Sequence, residues 1–303
     1  MDELKSEVGS PSSGSIIKVY PKGVSHLQHR ISYEGKRLAL PLRADFAEAN
    51  FKERSRICSM LVAAGCNMPD RTSLKTIELL DALGIFSQQQ CVLIGSHAFR
   101  AIGNALGVTW DAGTSETKGI DIGRMLKLAG SKPIKVSERL IKVGFRAIPQ
   151  LNHKHTPTNF KHQNGMKIDF LTPLIGKPER KPSRLLGTDV FAEPLRFLDY
   201  LIKDPQQAAV ITRNGVLVYV PQAARYALHK CIIYQYRRDL DKKEKDLLQA
   251  EALLLVLEDS MPHLIKEAWD DLQWQDKAMV GISAFKDVEL KARLVELLAW
   301  DKG

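Results

Sequence analysis

The pattern of apolar and polar positions divides the chain into four regions. Residues 1–15, ending Gly9-Ser10-Pro11-Ser12-Ser13-Gly14-Ser15, are polar, lack periodicity and read as a disordered tail. Residues 16–86 form an N-terminal extension, mainly helical. It opens with alternating positions (Ile17, Val19; Leu38, Leu40) broken at Tyr33-Glu34-Gly35-Lys36, which predicts a small hairpin. From Ala44 the spacing of Phe46, Ala49, Ile57, Met60, Leu61 and Ala64 is helical and stops at Gly65. A second helix over 73–83 is expected, with Thr72 or Ser73 as its N-cap and Gly84 as its stop. These two helices read as a pair packed on the edge of the core.

Residues 87–220 alternate short apolar runs with helical spacing, the signature of an α/β core. Residues 91–94 are apolar, Gly95-Ser96 breaks the run, and Ala98, Ile102, Ala105 and Leu106 then recur at helical intervals. Strand, tight turn and helix follow. Two more strands each carry an acid between β-favouring neighbours: Asp121 between Ile120 and Ile122, and Asp169 between Ile168 and Phe170. Such neighbours point to one face of a strand and the aspartate to the other. A hairpin joins 208–212 to 216–220 through Arg213-Asn214-Gly215. Residues 221–303 are helical throughout: one helix from Ala223 to about Arg238, a second over 243–257, and shorter ones to the end.

Composition adds bounds. With 303 residues, 44% hydrophobic and 26% charged, the chain is a globular protein with ample core. Cys58, Cys66, Cys91 and Cys231 show no metal-binding spacing, which predicts reduced thiols. No run of 18 apolar residues occurs, and the first residues lack a signal-peptide profile, so a cytoplasmic protein without a membrane partner is expected. Charge is uneven. Residues 131–186 hold twelve Lys and Arg against Glu138, Asp169 and Glu179, a surplus equal to the whole chain's +9. Solvated strand edges account for part of that. A polyanion is the functional alternative, either a triphosphate or an RNA or DNA acceptor.

The candidate chemistry gathers at three motifs. Gly95-Ser96 at a helix mouth presents backbone N–H groups and a hydroxyl to an anion. Asp121 and Asp169 supply the oxygens that a divalent cation takes. His97 reads as a histidine capping the helix start, with a phosphate contact as its alternative. Trp110 reads as packing beneath a loop, with base stacking as its alternative.

Taken together, Gly95-Ser96, Thr117-Lys118-Gly119-Ile120-Asp121-Ile122 and Ile168-Asp169-Phe170-Leu171-Thr172-Pro173 resemble the nucleotidyltransferase fold of the DNA polymerase beta superfamily. The similarity runs over about residues 55–250 and points to a bacterial branch with a long N-terminal extension. It implies a mixed-sheet nucleotidyltransferase core with a helical extension before it and a helical domain after it. The implied activity is transfer of a nucleoside monophosphate from an NTP to an acceptor hydroxyl, using Mg²⁺ or Mn²⁺. By the same resemblance Asp121 would bridge the metals and Asp169 would sit nearest the attacking hydroxyl. Gly95, Ser96 and Lys230 would hold the β- and γ-phosphates. One departure stands out, because Gly119 occupies the position of the first metal-binding aspartate. Three outcomes are compatible with it: an active enzyme using another oxygen, such as Glu116 or Thr117; a nucleotide-binding pseudoenzyme; or a nucleic-acid-binding protein that retains the fold.

Overall fold

The computed structural model describes residues 15–19, 26–42, 50–87, 90–110, 119–124, 134–150, 156–176 and 181–299. The expected tail and the start of the first expected helix, residues 44–49, lie outside the described residues, except that Ser15 opens a strand. The N-terminal extension begins as a three-stranded antiparallel sheet: β1 (Ser15–Val19), β2 (His26–Tyr33) and β3 (Lys36–Pro41). The expected hairpin is the β2–β3 pair, closed by Glu34 and Gly35, both with φ > 0. That handedness matches the twist of the flanking strands. Ile31, Tyr33, Leu38 and Leu40 bury one face of this sheet.

Two helices follow, α1 (Phe51–Ala63) and α2 (Arg71–Ala82). The cap of α2 differs from expectation. Asp70 accepts from the backbone N–H of Thr72 at 2.9 Å and of Ser73 at 3.1 Å. The helix starts at Arg71, so both hydroxyl residues fall inside its first turn. Gly84, at φ +82°, ends the segment as expected. The Tyr33 hydroxyl meets Thr76 Oγ1 at 2.9 Å, which ties the small sheet to α2.

The main sheet contains β4 (Val92–Ile94), β5 (Gly119–Gly123), β6 (Arg146–Ala147), β7 (Asn159–Lys161), β8 (Lys167–Pro173), β9 (Ser183–Arg184), β10 (Phe191–Leu195), β11 (Gln206–Val210) and β12 (Val216–Val220). Its order is β11-β12-β4-β5-β8-β10-β9, with β7 also on β8 and β6 on β7. The sheet is mixed. β4 runs parallel to β12 and antiparallel to β5, while β5, β8 and β10 run parallel. Helices α3 (Gly95–Leu106), α4 (Val136–Lys142) and the short α5 (Leu198–Leu201) lie between strands. Ile120, Ile122, Ile168 and Phe170 are wholly buried, so the apolar neighbours of both aspartates face the core.

The C-terminal part is helical, built on α6 (Ala223–Ile233). Nearly every residue of α6 is buried, and α7 (Leu240–Ser260), α8 (Pro262–Asp270) and α9 (Gln275–Ser283) pack around it before α10 (Val288–Leu297). Gly281 lets α9 approach so closely that a Cβ there would strike the Cys231 backbone. The expected single helix to Arg238 ends early: a 3₁₀ turn, Tyr234–Tyr236, replaces its last part, and Arg237 is extended. All four cysteines are free thiols. No helix of the described residues is long and apolar enough to cross a membrane.

Candidate functional site

Strand β4 ends in Ile94, and α3 begins at once with Gly95. Gly95 sits at φ +68°, and a Cβ there would collide with the Asp121 carboxylate. Glycine is therefore needed twice, for the left-handed turn and for the close approach of β5. From the other side the Tyr226 hydroxyl lies 3.0 Å from the Gly95 carbonyl and 2.9 Å from Gln249 Oε1, which braces the turn against α6 and α7.

Asp121 is a register partner of Ile94 on β4 and of Asp169 on β8. The two acids therefore stand side by side on one face of the sheet, as the alternation predicts. Asn159 on β7 occupies the same row beyond Asp169, its Oδ1 buried and without a hydrogen-bond partner among the described residues. Burial, reinforced by the Asp169 charge, pushes the Asp121 carboxyl up to about 6, against the pull of Lys230, Lys167 and Arg237. Asp169 is relieved instead by Lys167, whose Nζ is 2.9 Å from Oδ1.

Lys230 on α6 is buried and paired with Asp246 of α7, and Arg237 donates to the second Asp246 oxygen at 2.7 Å. Burial raises the Asp246 carboxyl, but the two cations outweigh it and hold it below its usual range. His229, next to Lys230, is pushed down to about 3 by burial and then by that neighbouring ammonium, so it is neutral.

Two clefts meet at this point and share Gly95, Asp121, Asp169, Lys230 and Arg237. One, of about 600 Å³, adds Ser96, Gly119, Lys161, Lys167, Lys242 and Lys245 and is cationic. The other, of about 580 Å³, adds Leu171, Leu174, Glu193, Phe197, Ile233 and Tyr236 and is largely apolar, with Arg196 at its edge. All the residues expected at the site, Gly95, Ser96, Asp121, Asp169 and Lys230, thus border one composite cavity. Of the basic segment 131–186, Lys161 and Lys167 reach it, while Lys135 and Lys142 are engaged by Glu138 on the surface.

Glu193 is not among the expected site residues, while Lys245-Asp246 and His229-Lys230 are expected only through the resemblance, as a C-terminal helical region where cations can reach the nucleotide, with a salt-bridged helix surface as the alternative. Asp246 sits in a helix whose other polar positions look the same. Glu193 did leave a signal: Ala192-Glu193-Pro194 repeats the acid-between-apolar pattern on a further strand. Of two further side-chain expectations, one changes. His97 does not cap α3, which has no side-chain cap; the histidine is buried, neither ring nitrogen has a hydrogen-bond partner among the described residues, and burial pushes it down to about 3. Trp110 packs, as its primary reading held, stacked on Phe99 at 4.5 Å with its N–H donating to the Phe99 carbonyl.

The donor set suits a hard divalent cation, because two adjacent carboxylates repel each other and one of them resists ionisation. Among the described residues no group of three or more His, Cys, Asp or Glu is placed to hold a metal ion. Gly119, where the resemblance expects a further metal-binding aspartate, carries no carboxylate. A Cβ there would meet only the Lys167 carbonyl, at 3.9 Å, so the space for a third carboxylate exists while the carboxylate does not. Glu116 and Thr117, the expected alternative oxygens, lie outside the described residues.

Fold and site together define an α/β protein with a mixed sheet and a strand–glycine–helix turn beside paired aspartates. A nucleotidyltransferase family model matches residues 71–275, more than half of the chain, and the chain belongs to that family. No curated protein matches it.

Proposed function

We propose that this protein transfers a nucleoside monophosphate from an NTP to an acceptor hydroxyl, with Asp121 and Asp169 holding a divalent cation, Mg²⁺ or Mn²⁺. The observation that carries the reading is the placement of both aspartates in one register row beside the Gly95 turn. In the reaction the acceptor oxygen attacks the α-phosphorus, the bond to the bridging oxygen breaks, and pyrophosphate leaves with the electron pair. The acceptor's proton passes to solvent. The cation, when bound, neutralises charge on the phosphates. The chain itself binds and orients: amides of Gly95 and Ser96 face the β- and γ-phosphates, and Lys230 and Arg237 supply fixed positive charge at the rim. Asp246 keeps both cations in place.

The glycine at 119 favours a second reading, a nucleotide-binding protein whose transfer is slow or lost, because a site with two carboxylates suits one cation better than two. Incubation with each radiolabelled NTP and Mg²⁺ or Mn²⁺, with and without total RNA, separates the readings. Labelled product that disappears in Asp121→Asn supports transfer. Thermal stabilisation by NTP without product supports the second reading, and no stabilisation by any NTP at millimolar concentration removes both. RNA remains the candidate polyanionic acceptor for the basic segment in this test.

A further inference from the structure

The cavity has two unlike halves, and the sheet order says what each is for. Strands β4, β5, β8 and β10 lie side by side, so the Gly95 turn, Asp121, Asp169 and Glu193 are met in that order across the sheet. Glu193 pairs in register with Leu171, two residues beyond Asp169, which puts all three acids on one face. With the triphosphate anchored at the Gly95 end, in-line displacement brings the attacking oxygen from the opposite side. That side is the apolar half, beside Glu193.

Glu193 Oε2 is buried and accepts no hydrogen bond from the described residues. An unpaired buried carboxylate oxygen is costly, and a ligand donor aimed at it removes the cost. Around it stand leucines and the Phe197–Tyr236 pair, whose rings lie 5.8 Å apart at 28°. Phe197 holds φ +65°, a strained conformation for an aromatic residue. A polynucleotide acceptor needs a row of cations for its phosphates. Here the shared cations, Lys230 and Arg237, are taken by Asp246 and the triphosphate, Arg196 adds a single exposed cation at the edge of this half, and a carboxylate faces the acceptor.

We infer that the apolar half is an acceptor subsite for a small molecule with a planar apolar body that carries both a hydroxyl and an amine, the amine donating to Glu193. This rests on the transferase reading above, and it replaces a nucleic acid as the acceptor. The amine supplies N–H donors and a positive charge to the unpaired oxygen, while the aromatic pair covers the apolar body.

The test uses the full chain with Mg²⁺ and α,β-methylene-ATP, a nucleotide that cannot be cleaved at the α–β bridge, and tyramine as the probe. Nucleotide binding is read first by calorimetry; its absence in the wild type overturns the transferase reading and this subsite with it. With nucleotide bound, tyramine should bind, phenol should bind at least tenfold more weakly, and a twelve-residue oligoadenylate should not displace tyramine. Glu193→Gln should weaken tyramine at least tenfold, leave phenol unchanged and keep nucleotide affinity within twofold. Tyr236→Ala, at a mostly exposed position, should weaken both aromatic probes several-fold and leaves the test standing if Glu193→Gln does not fold. Nucleotide bound without tyramine overturns the subsite alone. Loss of nucleotide affinity in Glu193→Gln would mean that the nucleoside occupies this half, and displacement of tyramine by oligoadenylate would mean a polynucleotide acceptor; either overturns the inference.

Discussion

Three aspartates border the cavity, and the sheet and the helices neutralise theirs in opposite proportions. On the sheet, Asp121 and Asp169 share one close ammonium, that of Lys167, and Asp121 is left with a carboxyl that resists ionisation. On the helices, Asp246 alone takes both Lys230 and Arg237 and is held ionised. Cations fixed by Asp246 are not free to pair with the sheet carboxylates. The sheet therefore keeps an excess of negative charge that a further cation, or a proton on Asp121, offsets, and the helices keep positive charge where an anion would lie. The contrast is local electrostatics rather than net charge, and each side of it can be broken by one substitution.

The largest effect is expected from Asp246→Ala. It leaves Lys230 buried without its carboxylate, and breaking a buried pair from one side costs about 3–5 kcal/mol. Urea unfolding at pH 7 measures it. Asp246 is depressed in the fold, so its contribution is present above the unfolded value, 3.8, and is lost as pH falls below it. The variant should lose that part of the acid sensitivity. A loss under about 1 kcal/mol would mean that the cations do not depend on Asp246, and the comparison would fail.

Next comes Gly95→Ala. A side chain at φ +68° is strained and its Cβ meets the Asp121 carboxylate, so destabilisation of about 2 kcal/mol is expected. The cost should shrink when Asp121→Ala is added and stay unchanged when Asp169→Ala is added instead. Equal coupling to both would show that the turn does not discriminate between the two acids.

Period-two alternation made the sheet half readable from sequence: apolar neighbours had to face the core, so Asp121 and Asp169 had to face away from it. The Gly95 turn was readable because few residues other than glycine serve at that junction. The helical half was less so. Lys230, Arg237 and Asp246 meet only when α6 gives way to a 3₁₀ turn at Tyr234 and α7 folds back across it. Apolar spacing continues through that break, which is why a single helix to Arg238 is the natural reading. The N-terminal sheet was half visible: the β2–β3 turn shows in Glu34-Gly35, whereas Ile17 and Val19 mark β1 as alternating but nothing there names the strand it pairs with. Glu193 lies between, carrying the right local pattern but no glycine turn to draw attention to it.

A smaller effect, about 1 kcal/mol, is expected from Gly119→Asp in chelator. Residues 119 and 121 share a face of β5, and the open space at Gly119 admits the side chain, so the new carboxylate adds repulsion without a steric clash. Millimolar Mg²⁺ or Mn²⁺ should restore the stability, measured as melting temperature, and NTP-dependent transfer should rise above wild type. Unchanged metal dependence would indicate a site altered beyond one missing ligand.

The smallest expected effect on stability belongs to Lys167→Met, and it tests the sheet side of the contrast directly. Lys167 is half-exposed at 43% and Asp169 partly so at 19%, and a pair of this kind contributes under about 1 kcal/mol. Its influence on the site should be larger than its influence on the fold. The ammonium lies 2.9 Å from Asp169 Oδ1, where it competes with any divalent cation for the same oxygen and lowers the negative charge of the pair. Methionine keeps the length of the stem and removes both effects. Mn²⁺ affinity, read by electron paramagnetic resonance of the free ion, should tighten several-fold at low ionic strength, and the gain should narrow as salt screens the wild-type ammonium. Asp169→Asn added to Lys167→Met should erase the gain. If Mn²⁺ affinity weakens instead, Lys167 holds Asp169 in position for the cation rather than competing with it, and the sheet carboxylates would be arranged by their lysine much as Asp246 is by its two cations.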